Sequence, residues 1–325
     1  QGINAKVRKN PKRVIFAEGE DENMLKAAIE FGRNKLGTPI LIGAEKRIKE
    51  QLKNIGLDEN YKIDIVNSTD KEKREKYVKH LYKKLQREGQ LERDVDRLVR
   101  NERIAWGASM IACKDADAMV TGNIRHYAAS IEKLKKVTEP RPGEEIFGMT
   151  MITLKGKTIL VADTNVQDFP SPERLVKVSK SCVRVARLFG FDPKVAFLSH
   201  STFGKPISKN TKHVRDAIDL LKKENVDFDF DGEMQPDVAL NPTYKDIYPF
   251  SKIVGNANIL IMPALHSAAI STKLMKVFGG GKLIGPLLIG LGSPIEVAPL
   301  RASTSEILNL ASIAAFSSDV IDYSN

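Results

Sequence analysis

Short apolar runs alternate with longer segments of helical period along most of the chain, and no other feature constrains the fold as strongly. This alternation is typical of βα units, whose strands assemble into mostly parallel sheets flanked by helices. We expect strands at Arg13–Ala17, Ile40–Gly43, Ile63–Val66, Ala118–Thr121, Val195–Ser199, Phe228–Asp231, Ile259–Met262 and Leu283–Ile289. The sequence therefore predicts an α/β protein.

A hairpin interrupts this order. Two strand-like runs, Met149–Leu154 and Thr158–Ala162, are joined by Lys155-Gly156-Lys157. A short connection that contains glycine is typical of antiparallel neighbours. We therefore expect the hairpin to form an antiparallel edge of a sheet.

Two helices are marked by their capping residues. Ser171 followed by Pro172 predicts a helix start, and Gly190 predicts the end of the same helix. Ser303 and Glu306 have the spacing of a capping box ahead of an apolar helical stripe. These signals predict one helix in the middle of the chain and another near its end.

Length and composition restrict the class of protein. A chain of 325 residues is typical of two domains of roughly 150 residues each, and the segment Thr138–Gly148, rich in Pro and Gly, predicts a boundary near residue 142. Hydrophobic residues make up 42% of the chain and charged residues 28%, which supports packed cores. No apolar run reaches the roughly 20 residues of a membrane span, so the sequence excludes a transmembrane protein.

The cysteines indicate the cellular compartment, and the first residue indicates whether the chain is part of a longer protein. Cys113 and Cys182 have no Cys or His neighbour at metal-ligand spacing, so we expect neither disulfides nor a metal site, and a cytoplasmic location. The chain starts at Gln1 without a methionine or a secretory signal pattern. We therefore expect it to be part of a longer protein.

Half of the net charge of +10 lies in one segment. Between Lys71 and Arg103 there are 12 Lys and Arg against 7 Asp and Glu. The apolar residues of this segment have helical spacing, which favours a solvated helical surface, and binding of an anionic cofactor is the alternative. Nucleic-acid binding is disfavoured, because only Tyr77 and Tyr82 lie among the basic residues and no docking motif is present.

Polar residues at strand ends are the candidate binding residues, because ligands of open α/β sheets lie outside the carboxyl ends of the strands. The turn Ser199-His200-Ser201-Thr202 could hold a phosphate or carboxamide, or could cap a turn. Asp231 and Glu233 could orient a cofactor hydroxyl or bind a metal, and a turn with a helix cap is the alternative. The cluster Asp163-Thr164-Asn165 is interpreted as a turn.

Motifs for nucleotide phosphates are missing. The run Gly279-Gly280-Gly281 lies between a helix and a strand, the reverse of the order that places backbone amides on a phosphate. It predicts a helix C-cap and a tight return. No G-x-G-x-x-G follows a strand and no G-x-x-x-x-G-K-[ST] is present.

The succession of strand-end motifs resembles the phosphate acetyl/butyryltransferases over nearly the whole chain. The matching segments are Arg13–Gly19, Ala116–Gly122, Ala162–Val166, Ser199–Ser201, Asp231–Glu233, Ala257–Pro263 and Gly285–Leu291, in the family's order. The resemblance implies two α/β domains of the phosphotransacetylase and isocitrate/isopropylmalate dehydrogenase-like architecture, with a cleft between them. It places residues 1–141 and 296–325 in the first domain and residues 142–295 in the second.

The resemblance also implies a reaction, transfer of an acyl group between coenzyme A and phosphate, but the key residues differ. The family's Ser-Arg run falls on Pro299 and Leu300, and its later Asp falls on Glu306. Proline offers neither hydroxyl nor amide hydrogen, and leucine cannot pair with phosphate. A second family arginine falls at about Ile131 or Glu132. We therefore expect no catalytic residues, with Arg301 and Glu306 the remaining candidates.

The turn at Ser199–Gly204 and the opening segment Lys12–Glu20 are most similar to the phosphotransacetylase-like region of bacterial NADP-dependent malic enzymes. This resemblance implies a regulatory region that binds acetyl-CoA or CoA and helps to form a homodimer or larger homo-oligomer, while NADP and a divalent metal act in the missing N-terminal part. An active phosphate acetyltransferase is the alternative. The ligand-binding residues expected are Asn123, Ser199, His200, Ser201, Thr202, Asp231, Glu233, Arg301 and Ser303.

Overall fold

The computed structural model describes residues 2–57, 62–154, 156–163, 166, 168–206 and 211–323. The chain divides into two compact units, Gln1–Pro142 with Leu291–Asn325, and Gly143–Gly290. Within the described ranges, no helix combines the length and the apolar character that a membrane crossing requires.

The first unit is built on a parallel sheet. Its strands are β1 (Lys12–Phe16), β2 (Gly37–Ile42), β3 (Asp64–Val66), β4 (Ala118–Gly122) and β11 (Ile295–Ala298). Its helices are α1 (Gly2–Lys9), α2 (Glu22–Arg33), α3 (Glu45–Asn54), α4 (Lys71–Leu85), α5 (Glu92–Asn101), α6 (Arg103–Ala112), α7 (Tyr127–Val137) and α12 (Thr304–Val320). The strand order is β11-β4-β1-β2-β3, and every residue of the interior strand β4 is buried, as expected for a strand covered by helices on both faces.

The second unit is built on a mixed sheet. Its strands are β5 (Phe147–Leu154), β6 (Lys157–Ala162), β7 (Lys194–Leu198), β8 (Asp229–Met234), β9 (Ile259–Ile261) and β10 (Lys282–Ile289). Its helices are α8 (Pro172–Leu188), α9 (Lys212–Lys223), α10 (Pro236–Leu240) and α11 (Leu265–Phe278). The strand order is β10-β5-β6-β9-β7-β8, in which β6, β9, β7 and β8 run parallel.

The predicted elements are found, with two corrections. Each predicted strand overlaps an observed one, but the hairpin of β5 and β6 is not an edge, because β10 pairs antiparallel with β5 and lies outside it. Leu287 and Leu288 of β10 are buried in this position. The sequence analysis also missed β11, a strand of four residues that is interrupted by the charged residue Glu296 and pairs with β4.

The second domain boundary lies earlier than expected. Residues 291–295, assigned to the second domain from the sequence, belong to the first unit. The reason is local pairing, because Leu291 bridges Pro140 and the amide of Gly292 donates to the carbonyl of Glu139 at 2.7 Å.

The helix caps are as predicted. Ser171 accepts a hydrogen bond from the amide of Arg174 at the start of α8. Ser303 and Glu306 form both halves of the capping box of α12. Helix α11 ends at Phe278, directly before the glycine run. Within the run, Gly280 has a φ of 59°, and the chain turns back toward β10.

Candidate functional site

The second sheet has a topological switch point between β7 and β9. From β7 the chain continues to β8 on one side, whereas β9 lies on the other side. Ligands of open α/β sheets bind outside the carboxyl ends of strands at such a point. A cavity of about 800 Å³ lies there, lined by Ser199 and His200 after β7 and by Pro263 and His266 after β9. We call it the switch-point cavity, and its volume is in the range of small-molecule sites.

Three helices begin around the switch-point cavity. Pro172 of α8, Lys212 of α9 and Ala264 before α11 all line it. Helix N-termini favour negative charge, although the Nζ of Lys212 is already paired with Asp216 at 2.7 Å. The three helix N-termini therefore favour an anionic group of a ligand, whereas Asp216, which also lines the cavity, balances the charge of Lys212.

Among the described residues, the contacts of the cavity histidines do not form a nucleophile and base pair with Ser199. The Nε2 of His213 lies 3.0 Å from the carbonyl oxygen of Pro263. The Oγ of Ser199 lies 3.4 Å from the Oγ of Ser201, and no hydrogen bond in the described residues joins it to a histidine ring. The arrangement is suited to binding a ligand rather than to activating a serine.

Ser201 and Glu233 hold the turn after β7 together. One oxygen of the buried Glu233 carboxylate, Oε1, accepts from the Oγ of Ser201 at 2.9 Å and from the amide of Gly204 at 2.8 Å. The Nη1 of Arg215 lies 3.6 Å from the same oxygen. Both predicted residues lie outside the cavity lining, and their contacts position the turn that carries Ser199 and His200.

Thr202 and Asp231 also make contacts within the protein. The Oγ1 of Thr202 accepts from the amide of Gln235 at 3.1 Å, and the Nε2 of Gln235 donates to the carbonyl of His200 at 2.7 Å. The Oδ1 of Asp231 accepts from the amide of Gly232 at 2.8 Å. Of the six residues predicted in this unit, only Ser199 and His200 line the cavity.

The Asp163 cluster is described in part, since Thr164 and Asn165 lie outside the described residues. The Oδ1 of Asp163 accepts from the amides of Gly148 at 2.9 Å and Val166 at 3.2 Å. These contacts show that the Asp163 carboxylate is used within the protein, and the interpretation of the whole cluster as a turn stays a prediction. No group of three or more His, Cys, Asp or Glu side chains in the described ranges could hold a metal ion.

Asn123 and Arg301, predicted from distant parts of the sequence, meet in the first unit. The amide of Arg301 donates to the carbonyl of Asn123 at 2.9 Å, and the Nδ2 of Asn123 donates to the Oδ1 of Asp21 at 2.6 Å. The Oδ1 of Asn123 is buried and has no hydrogen-bond partner among the described residues. It is therefore an acceptor that a ligand could use.

Ser303 and Glu306 are engaged in the cap of α12. The Oε2 of Glu306 accepts from the amide of Ser303 at 2.8 Å and from its Oγ at 2.9 Å. The carboxylate therefore stabilises the helix start, as the capping-box interpretation expects.

The first sheet has its own switch point, between β1 and β4, and a buried glutamate lies there. Glu18, two residues after the end of β1, is fully buried and accepts from the Oγ1 of Thr121 at 3.0 Å and from the amide of Gly122 at 3.0 Å. Burial raises the pKa of Glu18 to about 7, against the opposing effect of the Thr121 hydrogen bond. This residue belongs to a matching sequence motif, but the sequence analysis assigned it no role.

The family model for phosphate acetyl/butaryl transferases matches residues 1–315. The chain belongs to this family. The solved structure of a phosphotransacetylase from Streptococcus pyogenes is 27% identical, with a TM-score of 0.90 over 98% of this chain and 97% of that one. EutD phosphotransacetylase from Staphylococcus aureus is 26% identical, with a TM-score of 0.86 over 97% of each chain. The fold is therefore that of the phosphotransacetylases.

Curated relatives fall into two groups. The NADP-dependent malic enzyme of Rhizobium meliloti is 42% identical over 97% of this chain and 42% of its own length. The phosphate acetyltransferase of Clostridium acetobutylicum is 29% identical, over 94% of each chain. The chain thus spans about two fifths of the length of the malic enzymes that it matches.

Within the phosphate acetyl/butaryl transferase fold, the departures from the family's run lie directly after β11. Leu300 is exposed, so an apolar side chain faces solvent where the resemblance implies a phosphate-binding arginine. Ile131, near the second expected arginine, is buried on α7. The chain therefore has no cationic side chain at Leu300 or at Ile131 and Glu132, where the family resemblance implies arginines.

Sequence reasoning missed His213 and His266 of the switch-point cavity and Glu18 at the first switch point. A single histidine in a helical segment has no distinctive spacing, so no signal was available for the first two. For Glu18, the signal was a carboxylate directly after an apolar run, the same criterion that selected Asp231.

Proposed function

We propose that this chain is the phosphotransacetylase-like part of a malic enzyme, that it binds acetyl-CoA as an allosteric effector, and that it supports formation of a homo-oligomer. In this proposal the parent enzyme converts malate to pyruvate by oxidative decarboxylation, with NADP and a divalent metal acting in the remaining part. The observation that carries the proposal is an intact family framework in which Pro299 and Leu300 replace the family's Ser-Arg run.

The chemistry of these two positions argues for binding without transfer. Loss of one oxyanion donor typically lowers a rate by roughly 10²- to 10³-fold, and Pro299 supplies neither a hydroxyl nor an amide hydrogen. Arg301 lies one position beyond Leu300, and its backbone conformation is left-handed with a φ of 60°. Glu306 is held in the capping box and is therefore not a free base.

Two groups of residues would bind the effector. In the second unit, the switch-point cavity with Ser199 and His200 offers a volume of about 800 Å³. In the first unit, the buried Oδ1 of Asn123 and the exposed Arg301 offer an acceptor and a cation. Amide and phosphate groups of a coenzyme A thioester would match these donors and acceptors.

Calorimetric titration with acetyl-CoA at millimolar concentration tests effector binding. We expect saturable heat for the natural chain and a several-fold weaker affinity for His200→Ala. His80→Ala, which removes an exposed histidine on α4, is the matched control and should bind like the natural chain. Absence of heat and of any thermal shift with the natural chain would exclude the proposed effector.

An active phosphate acetyltransferase is the second candidate, because the Clostridium acetobutylicum relative matches this chain along almost its full length. It requires formation of acetyl phosphate from acetyl-CoA and phosphate, and loss of that activity in Glu306→Gln. We expect no acetyl phosphate above the uncatalysed level. Turnover at the rate of an ordinary transferase would favour this second candidate over the regulatory one.

A further inference from the structure

Glu18 links the two strands that border the first switch point. The amide of Ala17 donates to the carbonyl of Val120, which joins the end of β1 to β4. One residue later, the carboxylate of Glu18 accepts from Thr121 and Gly122 at the end of β4. The side chain therefore extends the contact between the strands beyond the last backbone hydrogen bond.

The residues that contact Glu18 directly precede Asn123, whose buried Oδ1 is the acceptor that a ligand could use. Gly122, which donates to Glu18, directly precedes Asn123, and Asn123 has a φ of 65°. Gly122 has a φ of 111°, and a Cβ there would lie 2.3 Å from the carbonyl oxygen of Ala298, so the backbone has little freedom to adjust. Glu18 therefore contacts, through one hydroxyl and one amide, the segment Thr121-Gly122-Asn123, in which the end of β4 leads into the turn at Asn123.

The surrounding charges do not neutralise Glu18 directly. Arg103 at the start of α6 pairs with Glu20 at 2.9 Å, and Arg125 after β4 pairs with Glu102 at 3.4 Å. Both arginines favour the ionised form of Glu18 from a distance, but in the described ranges neither forms an ion pair with it.

Three further charged residues, Arg47, Lys133 and Asp21, lie in these surroundings. Arg47 contacts Glu20, and Lys133 contacts Glu102, so each neighbouring carboxylate already has two cationic partners. Asp21, on the segment after β1, is occupied by Asn123 and by the amide of Met24. Glu18 is therefore the buried carboxyl group of this edge that has hydrogen bonds but no ion-pair partner among the described residues.

We propose that Glu18 is a positioning residue whose protonation state sets the geometry of the Thr121-Gly122-Asn123 turn and thereby the affinity of the first unit for its effector. The identity of the effector, acetyl-CoA, rests on the proposed function. When ionised, the carboxylate accepts both hydrogen bonds, and hydrogen bonds to a charged acceptor are the stronger kind. When protonated, it donates to the Thr121 hydroxyl and keeps only the weaker bond from Gly122.

This change of state belongs to the physiological pH range. Burial raises the pKa of Glu18 to about 7, so both forms are present near neutral pH. When the pH rises through this value, the hydrogen bond from the Gly122 amide to the Glu18 carboxylate becomes stronger, which orders the turn at Asn123. We therefore expect ionisation of Glu18 to make effector binding tighter at pH 8 than at pH 6.

The first test follows the turn itself and needs no effector. In isotope-labelled protein, the amide resonance of Gly122, assigned by standard methods, should titrate with a midpoint near pH 7. Glu18→Gln should abolish this titration, whereas Glu30→Gln, an exposed glutamate on α2, should leave it unchanged. A Gly122 resonance that does not titrate, or that titrates equally in Glu18→Gln, would overturn the inference.

A second variant serves if Glu18→Gln does not fold. Thr121→Val removes the hydroxyl that lowers the pKa of Glu18, so the midpoint should move to higher pH. An unchanged midpoint would again overturn the inference.

The second test measures acetyl-CoA affinity at pH 6 and pH 8. The natural chain should gain several-fold in affinity relative to Glu18→Gln over this range, because titration of the ligand phosphate contributes equally to both. Identical pH profiles would contradict the link to binding. Absence of acetyl-CoA binding at every pH would refute the proposed function, while the Gly122 titration would still decide the role of Glu18.

Discussion

Two buried glutamates, Glu18 and Glu233, show how differently the same side chain is accommodated in the two units. Glu233 has an arginine within 3.6 Å and receives hydrogen bonds from Ser201 and Gly204. Glu18 receives hydrogen bonds without an ion pair in the described residues, and burial raises its pKa to about 7. Removal of each is therefore expected to have a distinct effect on stability.

Replacement of Glu233 by alanine should lower the free energy of unfolding by about 1–3 kcal/mol, because it leaves the Ser201 hydroxyl and the Gly204 amide without their acceptor. Urea denaturation measures this change. Asp246→Ala, at an exposed acidic residue of the same unit, should change stability by less than about 0.5 kcal/mol. Equal stability of the two variants would mean that the Glu233 contacts do not hold the turn.

The pH dependence of stability should also reflect Glu18. The Glu18 carboxyl binds its proton more tightly in the folded state than in the unfolded chain, where its pKa is near 4.5. Protonation of Glu18 therefore stabilises the fold fully at low pH, and this contribution is lost as the pH rises through about 7. From pH 5 to pH 8, the unfolding free energy of the natural chain should fall by about 2 kcal/mol relative to Glu18→Gln. Parallel stability curves for the two proteins would contradict this expectation.

At the scale of elements, helix starts were predicted from local capping residues, whereas the order of the strands in the sheet was not predicted. The starts of α8 and α12 follow from Ser171 and Ser303, because a cap acts on amides within three residues. The place of β10 outside the hairpin does not follow from any local signal, because pairing with β5 joins residues more than a hundred positions apart.

The capping box of α12 allows a matched test. Ser303→Ala removes the acceptor for the amide of Glu306 and should destabilise the protein by about 1 kcal/mol in urea denaturation. Ser305→Ala replaces an exposed serine two residues later and should be close to neutral. A destabilisation of the same size in both variants would assign the effect to serine removal in general and not to the cap.

At the scale of the whole molecule, helix α11 presents an apolar face away from its own unit. Ile270, Leu274, Val277 and Phe278 are exposed and have the spacing of one helix face, whereas the buried residues are Ala268 and Thr272. Contiguous exposed apolar residues of this kind mark protein–protein contacts, and a face that meets its own copy across a two-fold axis uses the same residues twice. This face supports the proposed homo-oligomer.

Two exposed leucines provide the test of assembly. Leu274, on α11, is 52% exposed, and Leu91, before α5 in the first unit, is 50% exposed. Leu274→Asp should weaken self-association in sedimentation velocity at micromolar concentration, whereas Leu91→Asp should sediment like the natural chain. A natural chain that remains monomeric, or an unchanged assembly in Leu274→Asp, would remove α11 from the interface.

The structure places only some of the candidate binding residues of the second unit at the switch-point cavity, for a physical reason. Ser199 and His200 were found because they follow a strand, and they line the switch-point cavity. Ser201 and Glu233 were selected by the same criterion, yet their polar atoms face each other inside the turn. Position after a strand indicates the correct edge of the sheet but not the direction of each side chain.

The sequence by itself determined the βα alternation, the capped helices, the family resemblance and the replacement of its Ser-Arg run by Pro299 and Leu300, because each is a property of residues close together in the chain. Only the tertiary structure decided that β11 completes the first sheet and that β10 covers the hairpin. It also decided that Glu18 is buried beside Thr121. The order of strands in a sheet and the burial of a side chain depend on contacts between distant segments, so local patterns of residues do not predict them.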